Sequence, residues 1–148
     1  MRAKGIMQKE ARYVGDNCIC LPLQRAARAV GRIFDDALRP LDITNWQFSL
    51  LMNLYRDEPP AIGELAEMLS MDRTTITANL KPLERRGLVE IRRDDVDGRS
   101  RRVVLTKAGG RLLKAAYDIW NATNTDVLQK VAGSDLGQLR GAFAALAG

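Results

Sequence analysis

The sequence predicts a mainly α-helical fold with one small β-hairpin, in the α+β class. Apolar residues recur at helical spacing in the first third of the chain and again in the last third. Between them, Ile62–Gly87 contains a short and a longer helical segment joined by a turn. Leu88–Arg92 and Arg102–Leu105 then alternate apolar and polar residues, as paired strands do. A helix-turn-helix followed directly by a basic hairpin is a winged helix-turn-helix.

The N-terminal part predicts an arm and one long helix. Residues 1–17 have no steady periodicity and are expected to form a partly ordered arm. From Leu21 to Leu38 the apolar residues follow the i, i+3, i+4, i+7 pattern of an amphipathic helix. Arg39 and Pro40 should end this helix, because proline cannot continue the hydrogen-bond ladder.

A capping box predicts the start of the next helix. Thr44 is followed three residues later by Gln47, a pair that satisfies free N–H groups at a helix N-terminus. The helix should run towards the Pro-Pro break at residues 59 and 60. Its aromatic residues Trp46 and Phe48 are expected in the core.

The helix-turn-helix follows this break. Ile62–Leu69 is its first helix, Asp72 suits the N-cap of the second, and Gly87 suits the position just after the second helix ends. Pro82 lies inside the second helix and is expected to kink it. Ile76, Leu80 and Leu83 should face the core, and the outward residues are Arg73, Thr74, Thr75, Thr77, Ala78 and Lys81.

The C-terminal third predicts two more helices. Thr106 should cap a long helix from Lys107 to about Val131, and a last helix follows Gly133. The apolar stripe of the long helix comprises Leu112, Ala115, Ala116, Ile119, Trp120, Thr123 and Val127, and that of the last helix Leu136, Leu139, Phe143 and Leu146. The apolar surface of these two stripes and of the first helix is larger than one small winged domain can bury. We therefore expect residues 1–40 and 107–148 to form a helical dimerisation region around a DNA-binding domain at 41–106. The alternative is that these apolar stripes are buried within a single chain.

The composition excludes several kinds of site. The chain has no histidine, which removes Ser-His-Asp and Cys-His catalysis and every histidine-based zinc site. Cys18 and Cys20 are too few for a four-thiolate site and too close in sequence to bridge each other easily. We expect no enzymatic activity, no metal and no cofactor. With no secretory signal and no run of about 18 apolar residues, the expectation is a cytoplasmic protein that does not contact a membrane.

The positive charge is concentrated in the helix-turn-helix and hairpin. Asp72–Lys107 carries ten Lys or Arg and six Asp or Glu, so this segment accounts for +4 of the net charge of +5. A polyanion would bind there. In a recognition helix, small polar side chains at the N-terminal end approach base edges in the major groove. We expect this role for Thr74, Thr75, Thr77 and Lys81, with Ala78 on the same face. The alternative is that these are capping threonines and solvated basic residues.

The hairpin tip predicts a second DNA contact. Asp97 and Gly98 are a turn signal, so Arg99 should project into solvent with the Asp97 carboxylate nearby to hold it. An exposed arginine suits the negative potential of a narrow A·T-rich minor groove. Arg73 and Arg101 are expected on phosphates. The other arginines on the flanks of the hairpin should also reach phosphates: Arg92, Arg93 and Arg102.

These motifs resemble the MarR family of bacterial transcriptional regulators. The hairpin signature consists of Asp97-x-Arg99 and Leu105-Thr106-x-x-Gly109. Further matches are Ala26-Ala27-Arg28-Ala29-Val30, Leu41-x-Ile43-Thr44-x-x-Gln47-Phe48, Glu64-Leu65-Ala66 and Leu83-Glu84-x-x-Gly87-Leu88-Val89. The resemblance implies a triangular homodimer that binds a pseudo-palindromic operator in double-stranded DNA, with half-sites about 34 Å apart. Such proteins are mostly repressors, and many have a pocket for a small-molecule effector.

The nature of the effector stays open at this point. Peroxide-sensing members of the family carry a reactive cysteine near the start of the first helix, where Cys20 stands, with supporting tyrosines where this chain has Gln24, Phe34 and Asn45. An aromatic ligand is the other hypothesis. Trp46, Trp120, Tyr117 and Phe34 would line its cavity, although aromatic residues at helical spacing are more often core. Two other functions are alternatives: a protein-interaction module without DNA binding, and an enzyme acting through Cys20.

Overall fold

A computed structural model describes residues 7–147 of the chain. The elements in that range are α1 Met7–Asn17, α2 Cys20–Leu38, α3 Asn45–Asn53, α4 Ile62–Met68, α5 Arg73–Arg85, β1 Val89–Arg93, β2 Arg101–Leu105, α6 Lys107–Gln129 and α7 Leu136–Ala147. A single 3₁₀ turn at Arg39–Leu41 follows α2, at the predicted break. The residues form two compact units, one up to Ile33 and one from Phe34 onwards.

The first unit contains α1 and the beginning of α2. The expectation of a partly ordered arm is wrong for residues 7–17, which are helical, while residues 1–6 lie outside the described part. The sequence pattern does not predict this helix, because its apolar residues are few and are separated by charged ones. The last turn is extended by Cys18, whose N–H donates to the Val14 carbonyl at 2.8 Å. Large apolar side chains stay exposed in this unit: Tyr13, Val14, Ile19 and Leu21.

The core of the second unit forms where α3, α5, α6 and the hairpin meet. Leu50 and Leu51 of α3 and the predicted inward residues Ile76, Leu80 and Leu83 of α5 are almost fully buried. Burying such side chains contributes roughly 1.5–3 kcal/mol each. Phe48 is buried as expected, but the prediction that Trp46 is core is wrong, because its side chain is 51% exposed. Position 46 lies in the first turn of α3, one helical turn before the buried Leu50.

The predicted helix signals act as the sequence suggested. The Thr44 side chain accepts from the Gln47 N–H at 3.2 Å, and the Gln47 side chain accepts in return from the Thr44 N–H at 3.0 Å. At the end of α5, Gly87 has φ +67°, which is why glycine is preferred there. The N–H of Leu88 then reaches back to the Leu83 carbonyl at 3.0 Å, completing a Schellman motif. Pro82 lies inside α5 without interrupting it.

The hairpin pairs β1 with β2 in antiparallel register, with Ile91 opposite Val103. The first strand is shifted by one residue from its predicted bounds, and the second begins one residue earlier than predicted. The first begins at Val89 because Leu88 closes the preceding helix. The N–H of Val103 donates to the Pro60 carbonyl at 2.9 Å, and Ala61 forms an isolated bridge with Arg102. The segment before α4 therefore lies along the outer side of β2 and holds the hairpin against the helix-turn-helix.

Helices α6 and α7 follow the hairpin. The Thr106 side chain accepts from the Gly109 N–H at 3.0 Å, as an N-cap should. The inner face of α6 is centred on Leu113 and Ala116, and it includes Leu113 where the predicted stripe had the exposed Ala115. In α7, Leu136–Ala147, no side chain is buried.

Candidate nucleic-acid interface

The N-terminal end of α5 is built around its cap. The Asp72 carboxylate accepts from the Thr75 hydroxyl at 2.7 Å and from the Thr75 N–H at 2.8 Å. Both bonds hold the pKa of Asp72 below its ordinary value, and the bond from the Thr75 hydroxyl has the larger effect. Thr75 thus has a capping function, and its hydroxyl proton is engaged.

The exposed face of α5 carries most of the predicted base-contacting residues. A shallow depression of about 300 Å³ is lined by Arg73, Thr74, Thr77, Ala78 and Lys81. The hydroxyl of Thr77 donates to the Arg73 carbonyl at 2.8 Å, so its methyl group and its oxygen lone pairs remain available to a ligand. Thr75, the sixth residue predicted for this face, is half-buried against its cap and does not line the depression.

A second concave surface joins α5 to the tip of the hairpin. It has a volume of about 410 Å³ and brings Arg73 and Thr77 of α5 together with Arg99 and Arg101. Three positively charged guanidinium groups therefore border one cleft. Residues of α4 and the segment before it also line this cleft, although no sequence signal predicted them there: Ala61, Ile62, Gly63, Glu64 and Glu67.

Gly63 makes room for Arg73 in this cleft. A Cβ placed on Gly63 would lie 2.8 Å from Nη2 of Arg73. The guanidinium thus lies across the bare backbone of α4. The sequence signal was a glycine inside a short helix, where alanine would otherwise be preferred.

The base of the hairpin loop is held by a buried carboxylate. Asp94 is only 7% exposed, and it accepts from the N–H groups of Val96 at 2.7 Å and Asp97 at 3.1 Å, and from Nε of Arg102. The same arginine donates through Nη1 to the Pro59 carbonyl at 2.7 Å. The loop is therefore tied through Arg102 to the segment before α4.

These bonds fix the ionisation state of Asp94. The N–H groups of Asp97 and Val96 lower the pKa of its carboxyl, and Arg102 lowers it further. Hydrogen bonds from N–H donors favour the charged form. Asp94 is accordingly a carboxylate at neutral pH.

The loop tip differs from the expectation in how Asp97 acts. Its carboxylate accepts from the backbone N–H of Arg99 at 3.1 Å, and its carbonyl accepts from the N–H of Ser100 at 2.8 Å. Among the described residues no acidic side chain lies within 4 Å of the Arg99 guanidinium. Asp97 thus shapes the turn, as its sequence signal predicted, and leaves the charge of Arg99 open to a ligand.

Two flanking arginines are bonded to acidic side chains within the chain. Arg102 is engaged by Asp94, so the expectation that it reaches phosphate is wrong. Arg92 forms an ion pair with Glu90 at 2.8 Å, which lowers the pKa of Glu90. Arg93 and Arg101 form the strand pair next to the hairpin loop, and both side chains are exposed.

Both cysteines are free thiols. Cys18 is half-buried, whereas Cys20 is exposed at the first position of α2. The side-chain N–H of Gln24 donates to Sγ of Cys20 at 3.3 Å. Gln24 stands at one of the positions where the sequence departs from the tyrosine pattern of peroxide sensors, and its amide contacts the thiol instead.

No group of three or more His, Cys, Asp or Glu side chains within residues 7–147 could hold a metal ion. None of the helices in this range has the length and apolar character needed to cross a membrane.

Comparison with known proteins identifies the family and the fold. The sequence profile of the MarR family matches residues 41–100. The chain is 32% identical over 128 residues to the organic hydroperoxide resistance transcriptional regulator of Bacillus subtilis, covering 86% of each chain. The chain belongs to the MarR family. Its resemblance to MarR proteins and its winged helix-turn-helix fold are thereby confirmed, and so is the prediction of a DNA-binding transcriptional regulator rather than an enzyme.

Solved structures of MarR-type regulators agree with this assignment. The M. tuberculosis regulator MosR in complex with DNA is 35% identical and has a TM-score of 0.79, with 88% of this chain and 94% of that chain covered. The transcriptional repressor CouR bound to a 23-mer DNA duplex is 27% identical and has a TM-score of 0.80, with 99% and 100% covered. The MarR-family chain described here thus shares its fold with proteins solved on DNA.

Proposed function

We propose that this MarR-family protein is a homodimeric repressor that binds a pseudo-palindromic operator. Each protomer would place α5 in the major groove and the hairpin tip in the adjacent minor groove. The observation that carries this proposal is the cleft in which Arg73 and Thr77 of α5 meet Arg99 and Arg101 of the hairpin. MosR, at 35% identity, was solved with DNA, and CouR is described as a repressor.

Within this proposal the contacts divide into two kinds. Thr74, Thr77, Ala78 and Lys81 form the exposed face of α5 that would meet base edges, since Thr methyl groups contact thymine and polar groups contact base edges. Thr75 would act indirectly, by fixing the helix start through Asp72. Arg73 and Arg101 would bind phosphates, which position a protein without reading sequence.

The homodimer is supported by exposed apolar side chains near both ends of the chain. Tyr13 and Leu21 are exposed in the first unit, and Leu128, Phe143 and Leu146 in α6 and α7 of the second. Within α7, Phe143 and Leu146 are three residues apart and share one side of the helix, and contiguous exposed apolar surface is typical of an interface. We propose that residues 1–40 and 107–148 form the dimerisation region and 41–106 the DNA-binding domain. The double substitution of Phe143 and Leu146 by Glu should then give monomers in sedimentation analysis, while a dimer that persists would contradict this division.

Binding selection tests the operator proposal. Full-length protein is selected against a randomised duplex pool at moderate salt, and the enriched duplexes are sequenced. The proposal expects an inverted repeat with half-site centres about one helical turn apart, roughly 34 Å. Failure to enrich any sequence would contradict it and would favour a protein-interaction module.

A small-molecule effector is the first candidate for regulation. Trp120 is half-buried among three aromatic rings, with centroid distances of 6.5 Å to Phe34, 6.1 Å to Phe48 and 6.1 Å to Tyr117. The ring of Tyr117 is exposed, so an aromatic ligand could stack beside it. Benzoate is a suitable probe. It should change the tryptophan fluorescence of the wild type and of Trp46→Phe, but not of Trp120→Phe. Equal responses of the two variants would contradict an effector site at Trp120.

Thiol sensing is a second candidate, favoured by Cys20. This thiol is exposed, and the chain is 32% identical to a regulator named for organic hydroperoxide resistance. A hydroperoxide would oxidise the Cys20 thiol to sulfenic acid and be reduced to the alcohol. tert-Butyl hydroperoxide should release the selected duplex from wild type and Cys18→Ser but not from Cys20→Ser, and dithiothreitol should restore binding. Release from Cys20→Ser would exclude this sensor.

A further inference from the structure

The hairpin tip presents an apolar side chain together with its arginine. Val96 is 98% exposed, more than any other large apolar residue in the described part of the chain. It lies three residues before Arg99, in the loop between the paired strands. The proposed contacts with DNA do not use it.

The exposure of Val96 is imposed by the loop. Its N–H donates to the buried Asp94 carboxylate at 2.7 Å, and the next N–H, of Asp97, donates to the same oxygen at 3.1 Å. The loop is closed by the N–H of Asp94, which donates to the Ser100 carbonyl at 3.1 Å. With its backbone held on the carboxylate, the valine side chain can only point outwards.

A buried charged side chain maintains this loop conformation. Asp94 is the one buried charged side chain among the described residues, and burying a carboxylate is costly unless several hydrogen bonds satisfy it. Two of those bonds go to the backbone on either side of the Val96 carbonyl, and a third ties the loop to Arg102. The β-branched side chain of valine is stiff. The loop thus carries a rigid apolar group three residues before the arginine.

We propose that Val96 enters the minor groove together with Arg99 and packs against the groove floor and the deoxyribose walls. This inference rests on the proposed DNA-binding mode of the hairpin. Apolar side chains are a recurrent means of minor-groove contact. The floor of the groove differs between base pairs in one respect: G·C carries the guanine N2 amino group, which A·T lacks. Val96 therefore selects A·T steps by shape, because the amino group occupies the space that its methyl groups fill.

The experiment changes that amino group alone. In the selected duplex, adenines under the hairpin are replaced by 2,6-diaminopurine, which adds the minor-groove amino group while the major-groove edge stays that of adenine. Affinities of full-length wild type, Val96→Ala, Val96→Ile and Arg99→Ala are measured on both duplexes. Wild type should bind the diaminopurine duplex about tenfold more weakly. Val96→Ala should bind the adenine duplex roughly tenfold more weakly than wild type, because it lacks two methyl contacts, and should bind both duplexes nearly equally. Val96→Ile should keep the wild-type discrimination.

The failures of the two proposals are distinguishable. If Arg99→Ala weakens binding but Val96→Ala retains the wild-type affinity and discrimination, Val96 makes no groove contact and this inference is overturned. If neither substitution changes affinity, the hairpin does not bind DNA and the proposed binding mode fails first. Circular dichroism spectra identical to wild type verify that each variant is folded.

Discussion

The carbonyl oxygen of Leu88 lies 2.1 Å from the position that a Cβ on Gly109 would occupy. The Thr106 hydroxyl, which donates to the Gly87 carbonyl at 2.7 Å and caps α6, holds the helix start against this backbone. The Leu-Thr-x-x-Gly motif therefore packs the N-terminus of α6 against the residue just before the hairpin. No side chain fits between them.

Substitution at Gly109 should be severely destabilising. In Gly109→Ala the methyl group meets a backbone carbonyl, which cannot move without shifting the hairpin, so we expect a loss of about 2–4 kcal/mol in the free energy of unfolding. The neighbouring Gly110→Ala is the matched control, because nothing lies within 4 Å of its Cβ position. It should gain up to about 1 kcal/mol from helix propensity. Urea denaturation followed by circular dichroism measures both, and equal stabilities would contradict the close contact.

Arg99 should be required for DNA affinity and not for folding. Its guanidinium has no acidic partner among the described residues, and its backbone N–H, which the substitution retains, bonds to Asp97. We expect Arg99→Ala to weaken binding to the selected duplex at least tenfold, about 1.4 kcal/mol, with an unchanged unfolding curve. Arg140→Ala in α7 is the control and should bind like wild type. Comparable losses in the two variants would point to general electrostatics instead.

Lys81 should contribute to the salt dependence of DNA binding through its charge. If it neutralises a phosphate, Lys81→Ala should make the slope of log K against log salt concentration shallower by about 0.9 for each such contact. Lys114→Ala in α6 removes the same charge from an exposed site outside the interface and should leave the slope unchanged. Fluorescence anisotropy titrations over a range of salt concentrations provide the slopes. An unchanged slope for Lys81→Ala would mean that α5 docks in another orientation.

Asp94 should control the order of the hairpin tip in a pH-dependent manner. Its pKa in the folded chain is lowered below the ordinary value of 3.8, so its stabilising effect is fully present above that value and is lost as the pH falls through the lower, folded-state pKa. At pH 7, Asp94→Ala should speed amide exchange of Val96 and Asp97 and weaken DNA binding. Asp95 is an exposed neighbour, so Asp95→Ala should change the amide exchange of Val96 and Asp97 little. Unaltered exchange in Asp94→Ala would contradict the assigned hydrogen bonds.

Local rules explain which parts of the fold the sequence predicted. The Thr44 and Asp72 caps, the Gly87 turn and the Asp97-Gly98 turn depend on residues a few positions apart, and the structure contains all four. Burial depends on distant partners and was less predictable. Trp46 is a large apolar residue at the start of a helix, and nothing in its neighbourhood shows that it points outwards.

The same distinction applies to the site. The exposed face of α5 followed from helical spacing, since Ile76, Leu80 and Leu83 define the opposite side. The roles of the hairpin arginines did not follow, because Arg102 is engaged by a carboxylate eight residues away and by the carbonyl of Pro59, 43 residues away. The contribution of Gly63 to the cleft was also hidden, since it depends on Arg73 crossing from the next helix.

Dimethyl sulfate footprinting on the selected duplex tests the two-groove interface most directly. The reagent methylates guanine N7 in the major groove and adenine N3 in the minor groove, so one experiment reports on both. We predict that wild type protects guanine N7 within each half-site and adenine N3 in the flanking A·T steps, and that Arg99→Ala loses only the adenine N3 protection. Adenine N3 protection that is absent in wild type, or unchanged in Arg99→Ala, would contradict the account.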